Sequence, residues 1–285
     1  MVLITGATGN LGSSVVAQLQ KHLSKDKFIV TSSNENGVKK LSEQGYNARL
    51  ADFSDVDSLN KAFNGVDKIL LISTMDQNRF EQHKNVIDAA KNQNVKHLLY
   101  TGLAIKDIET SGVKDLMISH FQTEDYLKES GLIYTILRNT MYADALTQIL
   151  GNEALKHDIF LPGGSGKVPY ALRREMGEGT ANLLVQEGHE NKVYNITGSK
   201  LFGYDDVAKA LSELANQEIK YQDITEEALI DTLKNIGFPD FAIYLHAGTL
   251  KDIKNTQYEI VDQTLEQLLG RPTADIKEFI QELFK

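Results

Sequence analysis

The first residues constrain this chain most. Residues 2–5 are apolar and β-prone, and the loop Gly6-Ala7-Thr8-Gly9-Asn10-Leu11-Gly12 follows at once. Leu11, Val15, Val16, Leu19 and Leu23 then recur at helical spacing over residues 10–23. A strand that runs through glycines directly into a helix gives each glycine a task. Gly6 permits a tight turn, Gly9 lets backbone N–H groups approach a pyrophosphate, and Gly12 allows close packing of helix on strand. The helix N-terminus adds partial positive charge for the anion. The spacing is G-x-x-G-x-x-G rather than G-x-G-x-x-G, and the alternative is a glycine-rich connection with no ligand.

Strands and helices go on alternating. Strands are expected at 28–31, 48–51, 68–72, 98–101 and 133–137, and helices at 39–44, 80–93 and 114–129. Ser54 is the expected cap of a further helix ending at Phe63, with Asp55 and Asp57 in its first turn. The strands are continuous apolar runs, as expected when both faces of a parallel sheet are covered. The expected fold class is therefore α/β, a Rossmann-type doubly wound parallel sheet over residues 1–150. A smaller C-terminal α/β region over 151–285 packs on it, with strands at 193–196 and 219–222 and a last helix at 274–284.

A length of 285 residues suits one such unit plus an appended region. The net charge of −9, with no long Lys/Arg block, argues against a general affinity for nucleic acid. The absence of Cys removes disulfides, thiolate zinc sites and Cys nucleophiles. The seven His show no ligand spacing, so no metal is expected. No apolar run approaches the roughly 20 residues that span a bilayer, and no leader pattern opens the chain. A soluble cytoplasmic protein without a membrane partner is the expectation, and a homodimer stays open. Gly163-Gly164-Ser165-Gly166-Lys167 resembles a P-loop, but Leu161 stands where its first Gly belongs and Val168 where its Ser or Thr belongs. It is expected to be a surface loop. The sequon Asn195-Ile196-Thr197 falls on an expected strand and is read as chance.

A nicotinamide cofactor is the natural occupant of such a loop. An acid at the end of the second strand favours NAD and an Arg favours NADP. This chain has Thr31-Ser32-Ser33-Asn34-Glu35 there, with Lys39 and Lys40 further on. On these residues both cofactors stay open.

Several segments then follow in a telling order. Thr5 to Gly12 precede Ala51-Asp52-Phe53-Ser54-Asp55, Gln82-His83-Lys84-Asn85-Val86-Ile87-Asp88-Ala89-Ala90 and Leu99-Tyr100-Thr101. After these come His120-Phe121-Gln122-Thr123-Glu124, Leu137-Arg138-Asn139-Thr140-Met141-Tyr142 and Lys192-Val193-Tyr194-Asn195-Ile196-Thr197-Gly198. Over nearly its whole length the chain resembles the NmrA-like family, the atypical short-chain dehydrogenases, and within it the quinone and triphenylmethane dye reductases. The resemblance implies NADPH as the favoured cofactor, with NAD as the alternative. It implies binding at Gly6, Ala7, Thr8, Gly9, Asn10, Leu11, Gly12, Ser33, Asn34, Asp52, Phe53, Ser73, Thr74 and Thr101. It extends the site to Asn139, Thr140, Met141, Tyr142, Asp144 and Arg173. The quinone reductases carry Arg where this chain has Ser33, and that departure bears on the NADPH preference.

Ordinary short-chain dehydrogenases use Tyr-x-x-x-Lys to protonate a developing alkoxide, and this sequence has no such pair. With Glu124 aligned to the helix Glu that commonly follows the Lys, His120 takes the Lys place and Leu116 the Tyr place. Thr101 falls near the usual Ser. Ketone reduction gains about 10²–10⁴-fold from such an acid. A quinone or cationic dye needs it less, because the product anion or neutral dye is stabilised by its own π-system. Hydride transfer then depends on proximity and orientation, with protons from water. The expected function is reduction of a small electron-poor acceptor such as a quinone.

Asn139 and Tyr142, beyond the sixth strand, are the candidates for positioning nicotinamide or substrate. The competing reading makes Asn139 a helix cap and Tyr142 a half-buried aromatic, and for His120 it is a helix His bonded to a neighbour. Arg79, Phe80 and His83 are expected at the entrance, or Gln82 and His83 tie their helix down. C-terminal pocket residues are expected near 238–245. A second functional reading is a non-catalytic NAD(P) sensor acting through a protein partner. An enzyme of sugar-nucleotide or isoflavone type is disfavoured by the missing acid–base pair.

Overall fold

The structure is a computed structural model that describes residues 1–151 and 153–285. The chain runs β1 (Val2–Ile4), α1 (Asn10–Leu19), β2 (Phe28–Ser32), α2 (Glu35–Glu43), β3 (Asn47–Leu50), α3 (Val56–Phe63), β4 (Lys68–Leu71) and α4 (Arg79–Asn92). Next come β5 (His97–Leu103), α5 (Lys114–Glu129), β6 (Ile133–Asn139), α6 (Leu146–Leu150), β7 (Ile159–Leu161), α7 (Arg173–Val185) and β8 (Lys192–Ile196). It ends with α8 (Tyr204–Ala215), β9 (Tyr221–Asp223), α9 (Glu226–Asn235), α10 (Asp240–Lys254), α11 (Thr264–Leu269) and α12 (Ile276–Phe284).

Seven strands form one sheet in the order β3-β2-β1-β4-β5-β6-β8, with every pairing parallel. Successive residues of a strand point to opposite faces. Leu3, Ile29, Ile69, Leu98, Tyr100 and Ile136 therefore meet Leu59, Phe63, Val86, Ile87 and Leu127 from α3, α4 and α5. Their neighbours Ile4, Val30, Leu70, Leu99 and Leu137 meet Val15, Leu19, Met176, Leu184 and Leu265 from α1, α7 and α11. Both faces are covered, which accounts for strands without polar alternation. A third core joins α8, α10 and α12 to the small parallel sheet of β7 and β9. The chain beyond residue 150 builds this region and also returns to the large sheet. There β8 pairs with β6, and a Cβ on Gly177 of α7 would lie 2.7 Å from Ser14 Cβ on α1.

Several expectations shift. Asp55, not Ser54, caps α3, accepting from the backbone N–H groups of Asp57 and Ser58. Asn34 accepts from Gly37 N–H at 2.9 Å and so starts α2 at Glu35 rather than at residue 39. The helical bonds of α1 end at Leu19, and Leu23 reaches the core through a turn in which its N–H meets Leu19 O at 2.9 Å. β6 extends to Asn139, which pairs with Leu103, so Asn139 ends a strand and caps no helix. The turn at Gly163–Gly166 is packed rather than superficial. A Cβ on Gly166 would lie 1.8 Å from Ile253 O, and one on Gly163 would lie 2.5 Å from the Tyr204 ring. Among the described residues, no helix is long and apolar enough to cross a membrane and no cluster of side chains is placed to hold a metal ion.

Candidate functional site

The glycine loop is held from both sides. Thr5 Oγ1 donates to Leu70 O at 3.0 Å and accepts from Ile72 N–H at 2.9 Å, while Ala7 N–H donates to Thr31 O at 3.2 Å. Gly6 has φ of +58°, where L side chains are strained. A Cβ on Gly12 would lie 2.1 Å from Gly6 O, so this glycine packs α1 against the loop itself rather than against the strand. A Cβ on Gly9 would lie 3.2 Å from the same oxygen, with no other described atom within 4 Å outside Gly9 and its two chain neighbours. Ser13 N–H takes Gly9 O at 2.8 Å, so the N–H groups of Asn10, Leu11 and Gly12 have no acceptor inside the helix. Three donors and the positive end of α1 thus surround an exposed glycine.

Next to this loop the candidates differ in how they are used. Ser33 is exposed, whereas Asn34 spends its side-chain oxygen on the α2 cap. Asp52 accepts from Ser54 N–H at 2.9 Å, and Phe53 is a core residue whose carbonyl accepts from Asn85 Nδ2 at 2.9 Å. These two shape the turn after β3.

A cavity of about 300 Å³ opens at the carboxyl ends of β4, β5 and β6, where open α/β sheets bind ligands. Ser73 and Thr74 border it beyond β4, Gly102 and Leu103 on β5, and Asn139 at the end of β6 with Thr140 to Tyr142 beyond it. The Cβ position of Gly6 lies 3.9 Å from Ile72 Cβ, so the loop and the cavity meet at the end of β4. Opposite stand Ala145, Gln148 and Ile149, and Leu245, His246, Thr249 and Leu250 of α10, with Tyr258 beyond it. None of the described lining residues is Asp, Glu, Lys or Arg, and three of the chain's five Met line it: Met75, Met117 and Met141. Flexible, polarisable walls of this kind fit flat aromatic rings of varied outline.

Asn139 Nδ2 donates to Tyr142 Oη at 3.3 Å, which leaves the phenol hydrogen for another acceptor. Burial raises the Tyr142 phenol above its ordinary pKa, so it stays protonated. Asn139 Oδ1 and Thr140 Oγ1 are enclosed and have no hydrogen-bond partner among the described residues. A buried polar atom left so costs about 1–3 kcal/mol, and a ligand that bonds it removes that cost. The Arg173 guanidinium stacks 4.3 Å over the Tyr142 ring and lies 3.8 Å from Asp144, whose other oxygen accepts from Arg173 N–H at 2.8 Å. Asn139, Thr140, Met141, Tyr142, Asp144 and Arg173 are thereby one cluster.

The remaining candidates divide between the cavity wall and the interior. Thr101 does not line the cavity itself but braces a residue that does: it accepts from Ser73 N–H at 2.9 Å and donates to Ser73 Oγ at 3.3 Å at the end of β4. Arg79 and His83, expected at the entrance, are fully buried, and Phe80 packs edge-on against Tyr126 at 6.1 Å between α4 and α5. Arg79 is held inside because its guanidinium donates to Leu116 O at 3.0 Å and Ser119 Oγ at 2.9 Å. His120 borders the cavity with its Nδ1 2.7 Å from Tyr100 Oη. Of the 238–245 stretch, Leu245 lines the cavity while Phe238 is exposed, 5.7 Å from the His246 ring.

The NmrA-like family pattern matches residues 1–277. Quinone oxidoreductase 2 of Escherichia coli (strain K12) is 34% identical over 288 residues, covering 100% of this chain and 99% of its own length. The crystal structure of an NADPH-dependent quinone oxidoreductase from Escherichia coli, complexed with NADPH, matches with a TM-score of 0.90 at 32% identity and covers 100% of both chains. Citrobacter sp. triphenylmethane reductase complexed with NADP(H) matches at 0.90 and 30%, covering 99% of both. The likeness extends from the glycine loop through the cavity to the last helices, and the chain belongs to the NmrA-like family.

Proposed function

We propose that this protein is an NADPH-dependent oxidoreductase that reduces a quinone or a similar electron-poor small molecule. The carrying observation is the cavity beside the glycine loop, which is apolar, has no charged residue among its described lining, and is bordered by His120 where the Lys of a Tyr/Lys pair would stand, the sequence having Leu116 at the Tyr place. The names of its full-length relatives, a quinone oxidoreductase and an NAD(P)H azoreductase, support the same reading.

The residues present fit the cofactor. The N–H groups of Asn10, Leu11 and Gly12 and the positive end of α1 would hold a pyrophosphate. Thr8 and Gly9 leave room for it, and Ser33 and Asn34 stand where ribose or phosphate recognition belongs. The partnerless Asn139 Oδ1 and Thr140 Oγ1 would gain bonds from the nicotinamide end, with Ser73, Thr74 and Tyr142 beside them. When bound, NADPH supplies a hydride. The walls contributed by α10 and the Met side chains exclude water and hold the acceptor ring at the cofactor, so that orientation carries most of the rate. We assign residues 1–150 to the cofactor side and residues 151–285, through Leu245, His246, Thr249, Leu250 and Tyr258, to one wall of the acceptor side.

The test is loss of reduced-nicotinamide absorbance on mixing protein, NADPH or NADH, and a small benzoquinone. Turnover that Asn139→Ala or Tyr142→Phe weakens is the expected result. Tight binding of oxidised and reduced cofactor with no turnover of any quinone or dye overturns the reading and points to a sensor with a protein partner.

A further inference from the structure

Under the cavity lies a group of buried side chains that this reading has not yet used. His120 lines the cavity although only 6% of it is exposed, and its Nδ1 lies 2.7 Å from Tyr100 Oη. Tyr100 is fully enclosed, and burial pushes its phenol well up, so it keeps its proton. Thr123 stands nearby, but among the described residues His120 Nδ1 is the partner of Tyr100 Oη in hydrogen-bond geometry, and an enclosed phenol donates to the acceptor it has, since an unspent donor costs desolvation energy. An imidazole that accepts at Nδ1 carries its hydrogen on Nε2. Burial first, and then the charge of Arg79, hold His120 well below the usual histidine range, so the ring is neutral and offers one N–H.

His83, one helix away, shows the opposite arrangement. Thr123 gives its only hydroxyl hydrogen to Ser119 O at 2.7 Å, so His83 Nδ1, 3.0 Å from that hydroxyl, must be the donor. Among the described residues His83 Nε2 is enclosed without a partner, and His83 is not one of those lining the cavity. Behind both rings lies Arg79. Among the described residues its hydrogen bonds go to neutral acceptors, Thr74 O, Leu116 O and Ser119 Oγ, with the sulfurs of Met75 and Met117 at 3.5 and 3.9 Å. Thr74, Met75 and Met117 are themselves cavity residues. A guanidinium does not release its proton in a protein. Among the described residues no carboxylate forms an ion pair with Arg79, and Asp76 is the counter-charge that acts on it from nearby, so a positive charge without a paired anion stands behind the cavity floor, where low polarity lets its field act.

We propose that His120 Nε2–H, oriented by Tyr100 and backed by the buried charge of Arg79, holds the acceptor oxygen that becomes negative during reduction. This deepens the reductase reading and rests on it. The hydride brings two electrons and one proton, the acceptor's carbonyl π pair moves onto oxygen, His120 hydrogen-bonds that oxygen, and water supplies the second proton. Quinone, hydride and proton together give hydroquinone, and the imidazole keeps its own hydrogen throughout. A neutral imidazole is suited to this work as an electrophile rather than an acid. Tyr100 and Arg79 are positioning residues.

Two acceptors separate the inference from a mere loss of structure. A benzoquinone generates an oxygen anion, whereas a cationic triarylmethane dye takes hydride at its central carbon and becomes neutral. His120→Leu should lower kcat for the quinone about 10- to 100-fold. It should leave the KM for NADPH unchanged and the dye rate within about 3-fold. Tyr100→Phe should lower the quinone kcat about 3- to 10-fold, by loosening the tautomer. Equal losses with both acceptors, or no loss with the quinone, overturn the proposal. If the unmodified protein reduces neither, the reductase reading itself fails, and nitrogen NMR of the His120 ring decides the donor separately. Protonated Nε2 with an acceptor Nδ1, an Nε2 signal that moves on adding hydroquinone, and a mixed tautomer in Tyr100→Phe support it. A protonated Nδ1, or no response to hydroquinone, overturns it.

Discussion

Two glycine-rich turns in this chain look alike on paper and differ in what fills the space their glycines leave. At Gly163–Gly166 the protein fills it: Ile253 O and the Tyr204 ring occupy the places where Cβ atoms would stand. At Gly6–Gly12 one gap is filled in the same way, by Gly6 O against Gly12, but above Gly9 only a single oxygen is near and α1 presents unspent N–H groups. A glycine pattern therefore reports close approach and not the identity of what approaches. The second condition, a helix starting at the turn with its donors outward, marks the one built for an anion.

Substitutions can break this contrast. Gly166→Val should have the largest effect, about 3–5 kcal/mol of lost stability, because the clash is with backbone. Thermal unfolding should show it, while cofactor affinity of the remaining folded protein stays normal; a stable variant that lost cofactor would reverse the roles of the two turns. Gly9→Val should do the opposite, weakening NADPH binding about 100-fold by titration, a difference near 2.7 kcal/mol, with the Tm of the protein alone little changed.

Acid separates the two kinds of site in another way. The loop from Gly6 to Gly12 has no titratable side chain, but the fold contains His97, buried against Thr135 with its pKa held down to about 4, chiefly by burial. The folded value lies below the unfolded one of about 6.5, so the stabilisation is complete above pH 6.5 and is lost as pH falls toward 4. At pH 5 the loss from this residue is about 2 kcal/mol. Unfolding of His97→Gln should be flatter across that window, while NADH affinity of the folded protein stays level. The smallest effect sharpens the contrast at the far end of the cradle. Ser33→Arg adds a fixed charge where the chain has a hydroxyl, and should raise the NADPH-to-NADH ratio of kcat/KM about 10-fold. An unchanged ratio would mean that Ser33 does not face the ribose.

The same contrast explains what was legible in the sequence. The sheet and the loop follow from local rules: buried parallel strands read as apolar runs, and α5 matches its expected bounds because a 3.6-residue pattern spans it. The cavity obeys no local rule. Met75, Met117, Gln148, Thr249 and Tyr258 come from separated segments and meet only when α10 crosses the end of the sheet. Arg79 misled for a related reason. A cation after a polar turn reads as exposed, and nothing nearby in sequence shows that Leu116 O and Ser119 Oγ on α5 will receive it. Asn139 and Tyr142 are legible from their place after the sixth strand, at the ligand-binding edge of the sheet, and from resemblance, but their hydrogen bond depends on β6 running on to Asn139.

During synthesis β6 leaves the ribosome long before β8, the strand that covers its edge, because residues 140–191 lie between them. At about 5–20 residues per second the open edge persists for roughly 3–10 s, a window in which it can pair wrongly with another chain. The delay also acts as a check on completeness. Thr140 N–H is bonded to Ile196 O at 3.0 Å, so the segment that carries Thr140 to Tyr142 is tied at its start to β8, while Ala143 N–H is tied at its end to Ala171 O. A chain that is unfinished, or cut and parted from β8, holds the glycine loop and its helix yet lacks one of the two anchors for the other half of the site.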